Sequence, residues 1–178
     1  MSRLGGEPFL GKGTVTIAEI RSTSPSLCAV ADSATIHLDR RLAATDTLES
    51  AVREIEDLPG VKAAGAKVVV LDYDVPSWKG LVYPTKKYYP TWLLPEGHPL
   101  LAAGVGTYTS LFGEAPTVSR WVFSTNGVAV MGMHGIPCIG FGPGNEIFAH
   151  MATEQIPVEH LVKAAAWYAA FPGIYTRG

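Results

Sequence analysis

A glycine-rich stretch with one histidine is the part of this sequence best suited to chemistry. Residues 140–154 read GFGPGNEIFAHMATE, in which Glu146 and Glu154 flank His150. Three glycines in five residues allow a backbone to approach a ligand closely. A dinucleotide fingerprint is disfavoured, because Asn145 takes the position of its third glycine. The stretch is either a tight turn with an exposed histidine or a site in which His150 binds a metal while a carboxylate holds its second nitrogen.

A second candidate is the pair formed by His37 and Asp39. Residues two apart on a strand share a face, so the two side chains are a plausible metal pair. The guanidinium groups of Arg40 and Arg41 would repel a divalent cation at this place. We therefore favour a solvated sheet face on which Asp39 pairs with an arginine.

A polar turn follows the apolar residues that end at Phe123. It consists of Ser124, Thr125, Asn126 and Gly127. Hydroxyl, amide and backbone N–H groups at the carboxyl end of a strand suit an anion or a carboxylate. The same four residues also suit an ordinary turn, and both interpretations stay open.

Other reactive residue types lack a motif. The sequence has no nucleophile elbow, no H-E-x-x-H pair and no P-loop. We expect His98, His134 and His160 to be structural or surface residues. Cys138 lies in an apolar run, where we expect an inert core thiol.

Composition narrows the function classes. Of the 178 residues, 47% are hydrophobic and 17% charged, and the net charge is −2. This excludes disorder and charge-driven nucleic-acid binding. No apolar run is long enough to span a membrane, no signal sequence is visible, and Cys28 and Cys138 form no CxxC pair, so we expect a cytoplasmic protein. High apolar content with few charges indicates that a second copy or another piece of protein covers some apolar surface.

The elements that must position these residues follow from periodicity and turn signals. A capping box of Asp46 and Glu49 predicts the start of a helix in the first half. That half is expected to be β-β-α-β, with strands at 13–21 and 33–42 that pair antiparallel, a helix that ends at Pro59-Gly60, and a strand at 66–73. The second half is expected to be α-β-β-α, with helices at 99–112 and from Pro157 to about Pro172-Gly173, and short buried strands at 117–123 and 136–141.

Two segments, taken in order, resemble one enzyme family. Residues 11–42, GKGTVTIAEIRSTSPSLCAVADSATIHLDRRL, are similar to the later lid-domain strands of the family of aminoacylase, acetylornithine deacetylase, succinyl-diaminopimelate desuccinylase and glutamate carboxypeptidase. Residues 124–161 resemble the end of that family's catalytic domain, where a GPG…AH…E motif carries the last metal-binding histidine. These enzymes are co-catalytic zinc peptidases and deacylases.

The resemblance implies an α/β fold in three parts. Residues 1–75 would be a partial lid and dimerisation domain, a ferredoxin-like remnant of β-β-α-β order. Residues 76–97 would be a crossover linker. Residues 98–178 would be the C-terminal α-β-β-α part of a zinc-peptidase catalytic domain.

The resemblance also assigns site residues. His150 matches the last metal ligand, and Arg41 matches a lid arginine that contacts the substrate carboxylate, often across a dimer. The residues that match substrate-site backbone and hydroxyl positions are Ser124, Thr125, Asn126, Gly127 and Gly144. The family's other metal ligands and its general-base glutamate precede the lid and have no counterpart in this sequence.

By this resemblance the chain is the C-terminal portion of a metal-dependent hydrolase that cleaves amide bonds of small N-acyl amino acids or peptides. The intact parent would hold two zinc ions and form a homodimer, and its small-molecule substrate would carry a carboxylate. We expect the chain alone to be inactive and to bind zinc weakly if at all, because one histidine cannot make a four-coordinate site. The alternative is a non-catalytic dimerisation or ligand-binding module.

Overall fold

The structure, a computed structural model, describes residues 4–177. They divide into two compact units between Thr91 and Trp92, a point that lies within the segment 76–97. The chain mixes α and β structure, with several helices and small antiparallel sheets. In the part of the chain that is described, no helix combines the length and the apolar character that crossing a membrane requires.

The first unit contains three two-stranded antiparallel sheets and two helices. The strands are β1 (Gly6–Glu7), β2 (Gly11–Lys12), β3 (Thr14–Ser22), β4 (Ala34–Arg41), β5 (Asp72–Tyr73) and β6 (Thr85–Lys86). Consecutive strands pair as β1–β2, β3–β4 and β5–β6. The helices are α1 (Leu48–Glu56) and α2 (Pro59–Ala64).

The hairpin β3–β4 confirms the predicted antiparallel pairing. Its register runs from Ile17 opposite Leu38 to Ile20 opposite Ile36, so β3 contains one residue more than β4 over this stretch, at Ala18. A β-bulge of this kind shifts the alternation of side chains by one position. Ile17 and Ile20 therefore lie on the same face, although residues three positions apart face opposite sides of a regular strand.

The helix α1 begins one residue later than predicted. Thr47, and not Asp46, is the N-cap, and its hydroxyl accepts from Ser50 N–H, so the capping box uses Ser50 and not Glu49. The reason is that the Asp46 carboxylate is occupied elsewhere, 2.8 Å from Arg40 Nη2. A carboxylate bound to a nearly buried guanidinium is not available to cap a helix.

The end of α1 also differs from the prediction. The helix stops at Glu56, and Pro59 starts α2 instead of ending the preceding helix. Proline suits the first turn of a helix because the N–H groups of that turn have no partner within the helix, so the missing N–H costs no hydrogen bond. The short helix then ends at Gly65, which has the left-handed φ of 59°.

The predicted strand at 66–73 is wrong for most of its length. Only Asp72 and Tyr73 form a ladder, whereas residues 66–71 form no strand, and Val69 and Leu71 are exposed. A strand forms only where a neighbour accepts and donates its backbone hydrogen bonds. In the described part of this unit, the Leu71 carbonyl accepts from Lys87 N–H at 2.8 Å, and residues 66–70 have no paired strand beside them.

The second unit is built on two α-helices. Its elements are α3 (Pro99–Phe112), a π-helix (Val128–Met133), a 3₁₀ helix (Glu146–Phe148) and α4 (Val158–Tyr175). The bounds of α3 are as predicted, and Gly113 ends it with φ of 77°. The helices α3 and α4 pack where Trp167, 3% exposed, donates from Nε1 to the Gly104 carbonyl at 3.1 Å. A Cβ on Gly104 would lie 2.8 Å from Ile139 Cδ1 and 3.5 Å from Trp167 Cζ2, so glycine allows the close approach of Ile139 to this part of α3.

The predicted buried strands at 117–123 and 136–141 are wrong. Neither segment forms a strand, and Trp121, Val122 and Ile136 are exposed. The apolar pattern is present, but the described residues of this unit contain no strand to pair with. The expected α-β-β-α order is therefore reduced to its two outer helices.

The helix α4 starts after Pro157, as predicted, but it continues through Pro172 to Tyr175. A proline removes one backbone hydrogen bond and usually ends a helix. Here aromatic side chains four residues apart stack along the helix across that point. Phe171 lies 4.6 Å from Trp167 and 6.0 Å from Tyr175 between ring centroids.

Candidate functional site

His150 has an unusual backbone conformation. Its φ is 64°, and no other non-glycine residue in the range 4–177 has a positive φ. Left-handed backbone costs a residue with a Cβ about 1–2 kcal/mol, and such conformations cluster at functional sites. The His150 N–H donates to Glu154 Oε2 at 3.2 Å, which helps to hold the turn. The side chain is exposed.

The glycine turn that precedes His150 is held from two sides. Gly144 has φ of 96°, a region that favours glycine. Its N–H donates to His160 Nδ1 at 3.3 Å. Asn145 Oδ1 accepts from Ile147 N–H at 3.1 Å and so starts the 3₁₀ helix that leads to His150.

The residues present do not fit a zinc site by themselves. Among the described residues there is no group of three or more His, Cys, Asp and Glu side chains that could hold a metal ion. Glu154 contacts the main chain of His150, and neither it nor Glu146 hydrogen-bonds to the imidazole. A catalytic zinc needs three protein ligands. His150 can serve as one ligand only if further ligands come from outside these residues.

Arg41 is bound by a neighbour on its own strand. Its Nε lies 3.0 Å from Asp39 Oδ1, and its Nη2 lies 3.1 Å from Asp39 Oδ2. The expectation that Asp39 pairs with an arginine is confirmed. A guanidinium has two edges that can each bind a carboxylate. Asp39 occupies the edge formed by Nε and Nη2, and the Arg41 side chain is 58% exposed.

The polar turn at Ser124, Thr125, Asn126 and Gly127 leads into the π-helix. Gly127 N–H donates to Thr125 Oγ1 at 3.2 Å, and Val130 N–H donates to the Asn126 carbonyl at 3.1 Å. These N–H groups are used inside the turn, so an anion would have to rely on the exposed Ser124 and Asn126 side chains. π-Helices are rare in proteins, and those that occur are often found at functional sites.

Trp92 covers the same turn, which the sequence did not indicate. A Cβ on Gly127 would lie 2.5 Å from Trp92 Cζ2. Glycine is therefore required at this position by packing. The sequence could not indicate this contact, because Trp92 and Gly127 are 35 positions apart.

The expected site residues fall in both units. Arg41 belongs to the first, whereas His150, Gly144 and the turn at 124–127 belong to the second. Within the described part of the second unit, no hydrogen bond or ion pair joins that turn to His150 or Gly144. His160 is the residue whose contact sequence reasoning missed.

Both cysteines are free thiols. Cys28 is exposed on the loop between β3 and β4. Cys138 is half-buried, and burial raises the pKa of its thiol because the thiolate is poorly solvated there. Neither belongs to a metal-binding cluster among the described residues.

Comparison with known proteins gives close relatives of greater length. No family model matches the chain. It is 56% identical over 170 residues to "Uncharacterized protein YgeY" of Escherichia coli strain K12, and equally to the protein of that name from Escherichia coli O157:H7. The match covers 96% of this chain and 42% of each relative. The chain thus spans less than half the length of the curated relatives it matches.

Proposed function

We propose that this chain is the C-terminal portion of a metal-dependent hydrolase that cleaves amide bonds of small N-acyl amino acids or peptides. The observation that carries the proposal is the left-handed backbone of His150 after the glycine turn. Its position is the one where the resembling zinc peptidases and deacylases carry a metal-binding histidine. Strain at this residue supports a functional role, because residues held in sparsely populated backbone regions cluster at functional sites.

In this proposal His150 is one of several zinc ligands, and the remaining ligands lie in polypeptide outside this chain. When bound, zinc would supply Lewis-acid activation of the amide and of a water molecule. The length of the relatives supports this division, because 58% of each lies beyond the match. The two free cysteines support the cytoplasmic location that we propose.

Exposed apolar surface supports the idea that more polypeptide covers this chain. The chain exposes 13162 Å². Two separate globular proteins of half its length would together expose roughly 10,000 Å². In the described part of the chain the hydrophobic residues that are buried are Ala43, Ala164 and Trp167, although 47% of the sequence is hydrophobic. The excess of roughly 3,000 Å² is within the range that obligate interfaces bury.

Three segments that form no strand indicate what that surface would bind. Residues 66–71, 117–123 and 136–141 have strand-like sequences, exposed apolar side chains and no strand partner among the described residues. Backbone groups of such segments are satisfied when a neighbouring strand joins them. We therefore propose that residues 1–75 are a partial lid domain, that residues 76–97 link it to the next domain, and that residues 98–178 complete a larger α/β catalytic domain.

The substrate carboxylate would be held by Arg41 through the edge that Asp39 leaves open. Ser124 and Asn126 would contribute hydroxyl and amide contacts through their exposed side chains. Thr125, Gly127 and Gly144 would shape the turns that present them, because the Gly127 and Gly144 N–H groups are already bound. Arg41 is the strongest of these, because a guanidinium can bind a carboxylate with two parallel hydrogen bonds.

The second candidate is a non-catalytic dimerisation or ligand-binding module. The observation that favours it is the lack of a metal-binding group of three side chains in residues 4–177. In this case the open apolar surface would bind a second copy of the chain, and His150 would be a surface residue. The two proposals differ in whether added polypeptide gives hydrolysis.

The experiment is reconstitution. The chain is mixed with the part of the Escherichia coli relative that lies outside the match, and hydrolysis of N-acetyl amino acids is measured with and without zinc. We expect metal-dependent hydrolysis that His150→Ala abolishes and that the control variant His134→Ala retains, because His134 is an exposed residue at the end of the π-helix. Hydrolysis that survives His150→Ala would refute the ligand assignment.

A further inference from the structure

We infer that His160 and Tyr168 of α4 are positioning residues that hold both ends of the segment from Phe141 to Gly144 and thereby set the backbone at His150. The importance of His150 rests on the proposed function, but the contacts that carry the inference do not. The reasoning follows the hydrogen bonds from α4 to the turn and from the turn to His150.

The two contacts have opposite polarity. The Tyr168 hydroxyl donates to the Phe141 carbonyl, and His160 Nδ1 accepts from Gly144 N–H at 3.3 Å. Eight residues of helix rise about 12 Å. Three residues of extended chain span at most about 10 Å. The two lengths differ by about 2 Å, which the long Tyr168 side chain can bridge, so one anchor holds the carbonyl at the start of the segment and the other the N–H at its end.

The sequence between the anchors leaves few other donors. Pro143 has no N–H, so the N–H of Gly144 is the last donor before the chain turns. Gly144 then adopts φ of 96°, which allows the turn. Because His160 fixes the N–H side of this glycine, it fixes the direction in which the chain leaves the turn.

Short-range hydrogen bonds connect that turn to His150. The Asn145 side chain starts the 3₁₀ helix by accepting from Ile147 N–H at 3.1 Å. Phe148 N–H donates to the Asn145 carbonyl at 3.1 Å, and Met151 N–H donates to the Phe148 carbonyl at 3.2 Å. His150 lies inside this run, and its own N–H is bound by Glu154. Because these hydrogen bonds fix the backbone between the two residues, a change in the direction of the chain at Gly144 also changes the backbone at His150.

The helix that carries the anchors is itself well fixed. Trp167, next to Tyr168, is 3% exposed, and its indole ring stacks on Phe141 with 4.6 Å between ring centroids. His160 forms part of the wall of a cleft with Asn145 and Phe148. The anchors thus transmit the position of a packed helix to an exposed loop.

The test uses hydrogen exchange and chemical shifts in the 178-residue chain. Asparagine places its oxygen near the position of Nδ1, whereas glutamine places it near that of Nε2. We expect the Gly144 amide to exchange at the wild-type rate in His160→Asn and about fivefold or more faster in His160→Gln, as loss of one hydrogen bond implies. The ¹³Cα shift of His150, which reports its positive φ, should move in His160→Gln and in Tyr168→Phe but not in His160→Asn.

His134→Gln is the matched control and should leave both signals unchanged. Equal Gly144 exchange in His160→Asn and His160→Gln would overturn the inference. So would an unchanged His150 shift in His160→Gln and Tyr168→Phe, because the contacts would then be merely structural. If His160→Gln does not fold, the Tyr168→Phe variant, which removes one hydroxyl, decides through the His150 shift. None of these signals depends on hydrolysis, so a failed reconstitution leaves this result standing.

Discussion

Ile20 of β3 lies opposite Ile36 of β4, and the two side chains are 65% and 54% exposed on one face of the hairpin. The bulge at Ala18 brings Ile20 to this face, which Ile17 and Leu38 also share. The hairpin therefore has an apolar face that the described residues leave largely open. Open apolar faces of this kind mark interaction sites.

We expect the isolated chain to self-associate through this face and the unpaired strand edges. Ile36→Lys should lower the average mass measured by light scattering, because it places a charge in the apolar face. Thr35→Lys is the control, since Thr35 points to the opposite, polar face. A wild-type chain that remains monomeric at high concentration would argue against this expectation.

Arg40 and Arg41 should differ sharply in their effect on stability. Arg40 Nη2 lies 2.8 Å from Asp46 and 3.0 Å from Glu54, and all three side chains are nearly buried. Arg40→Ala leaves two carboxylates unpaired and should lower the free energy of unfolding by about 3–5 kcal/mol. Arg41→Ala breaks an exposed pair and should cost about 0–1 kcal/mol. Urea unfolding measures both values, and equal losses would refute the difference.

Gly140 should not tolerate a side chain, whereas Gly142 should. A Cβ on Gly140 would overlap the Trp121 ring, while a Cβ on Gly142 meets nothing within 4 Å. Gly140→Ala should therefore destabilise by about 1–3 kcal/mol. Gly142→Ala should stay within about 0.5 kcal/mol of the wild type. The comparison by thermal unfolding fails if Gly140→Ala is as stable as Gly142→Ala.

If the reconstituted mixture hydrolyses N-acetyl amino acids as proposed, Arg41→Ala should raise KM and leave kcat nearly unchanged. A carboxylate clamp binds the ground state and the transition state alike. Initial rates over a range of concentrations of N-acetyl amino acid separate the two constants. A fall in kcat with unchanged KM would place Arg41 at the reacting atoms instead.

Local signals predicted part of the fold. The alternation in β3 and β4 gave the antiparallel pair, and Pro99 and Gly113 gave both ends of α3. The bulge at Ala18 was not predictable, because register depends on pairing that no single strand encodes. The strand predictions for residues 117–123 and 136–141 were wrong for a different reason. Their sequences suit strands, but the described residues supply no partner for their backbone groups.

Within the candidate site, the sequence draws attention only to its most distinctive residues. The glycines and His150 stand out in the sequence, whereas the contact between His160 and Gly144 joins positions 16 residues apart and has no local signature. The pairing of Asp39 with Arg41 was predictable, because alternate residues of a strand share a face. The left-handed φ of His150 was not, since histidine does not require it.

The central claim is that His150 is one ligand of a zinc site that other polypeptide completes, and zinc titration calorimetry tests it most directly. The isolated chain should bind zinc with roughly micromolar or weaker affinity, because it offers too few ligands. Addition of the remaining part of the Escherichia coli relative should give sub-micromolar zinc binding at one or two sites. In that mixture, His150→Ala should remove or weaken one site. The control variant His134→Ala should leave zinc binding intact. Sub-micromolar binding by the isolated chain that survives His150→Ala, or a mixture in which His150→Ala changes nothing, would contradict the claim.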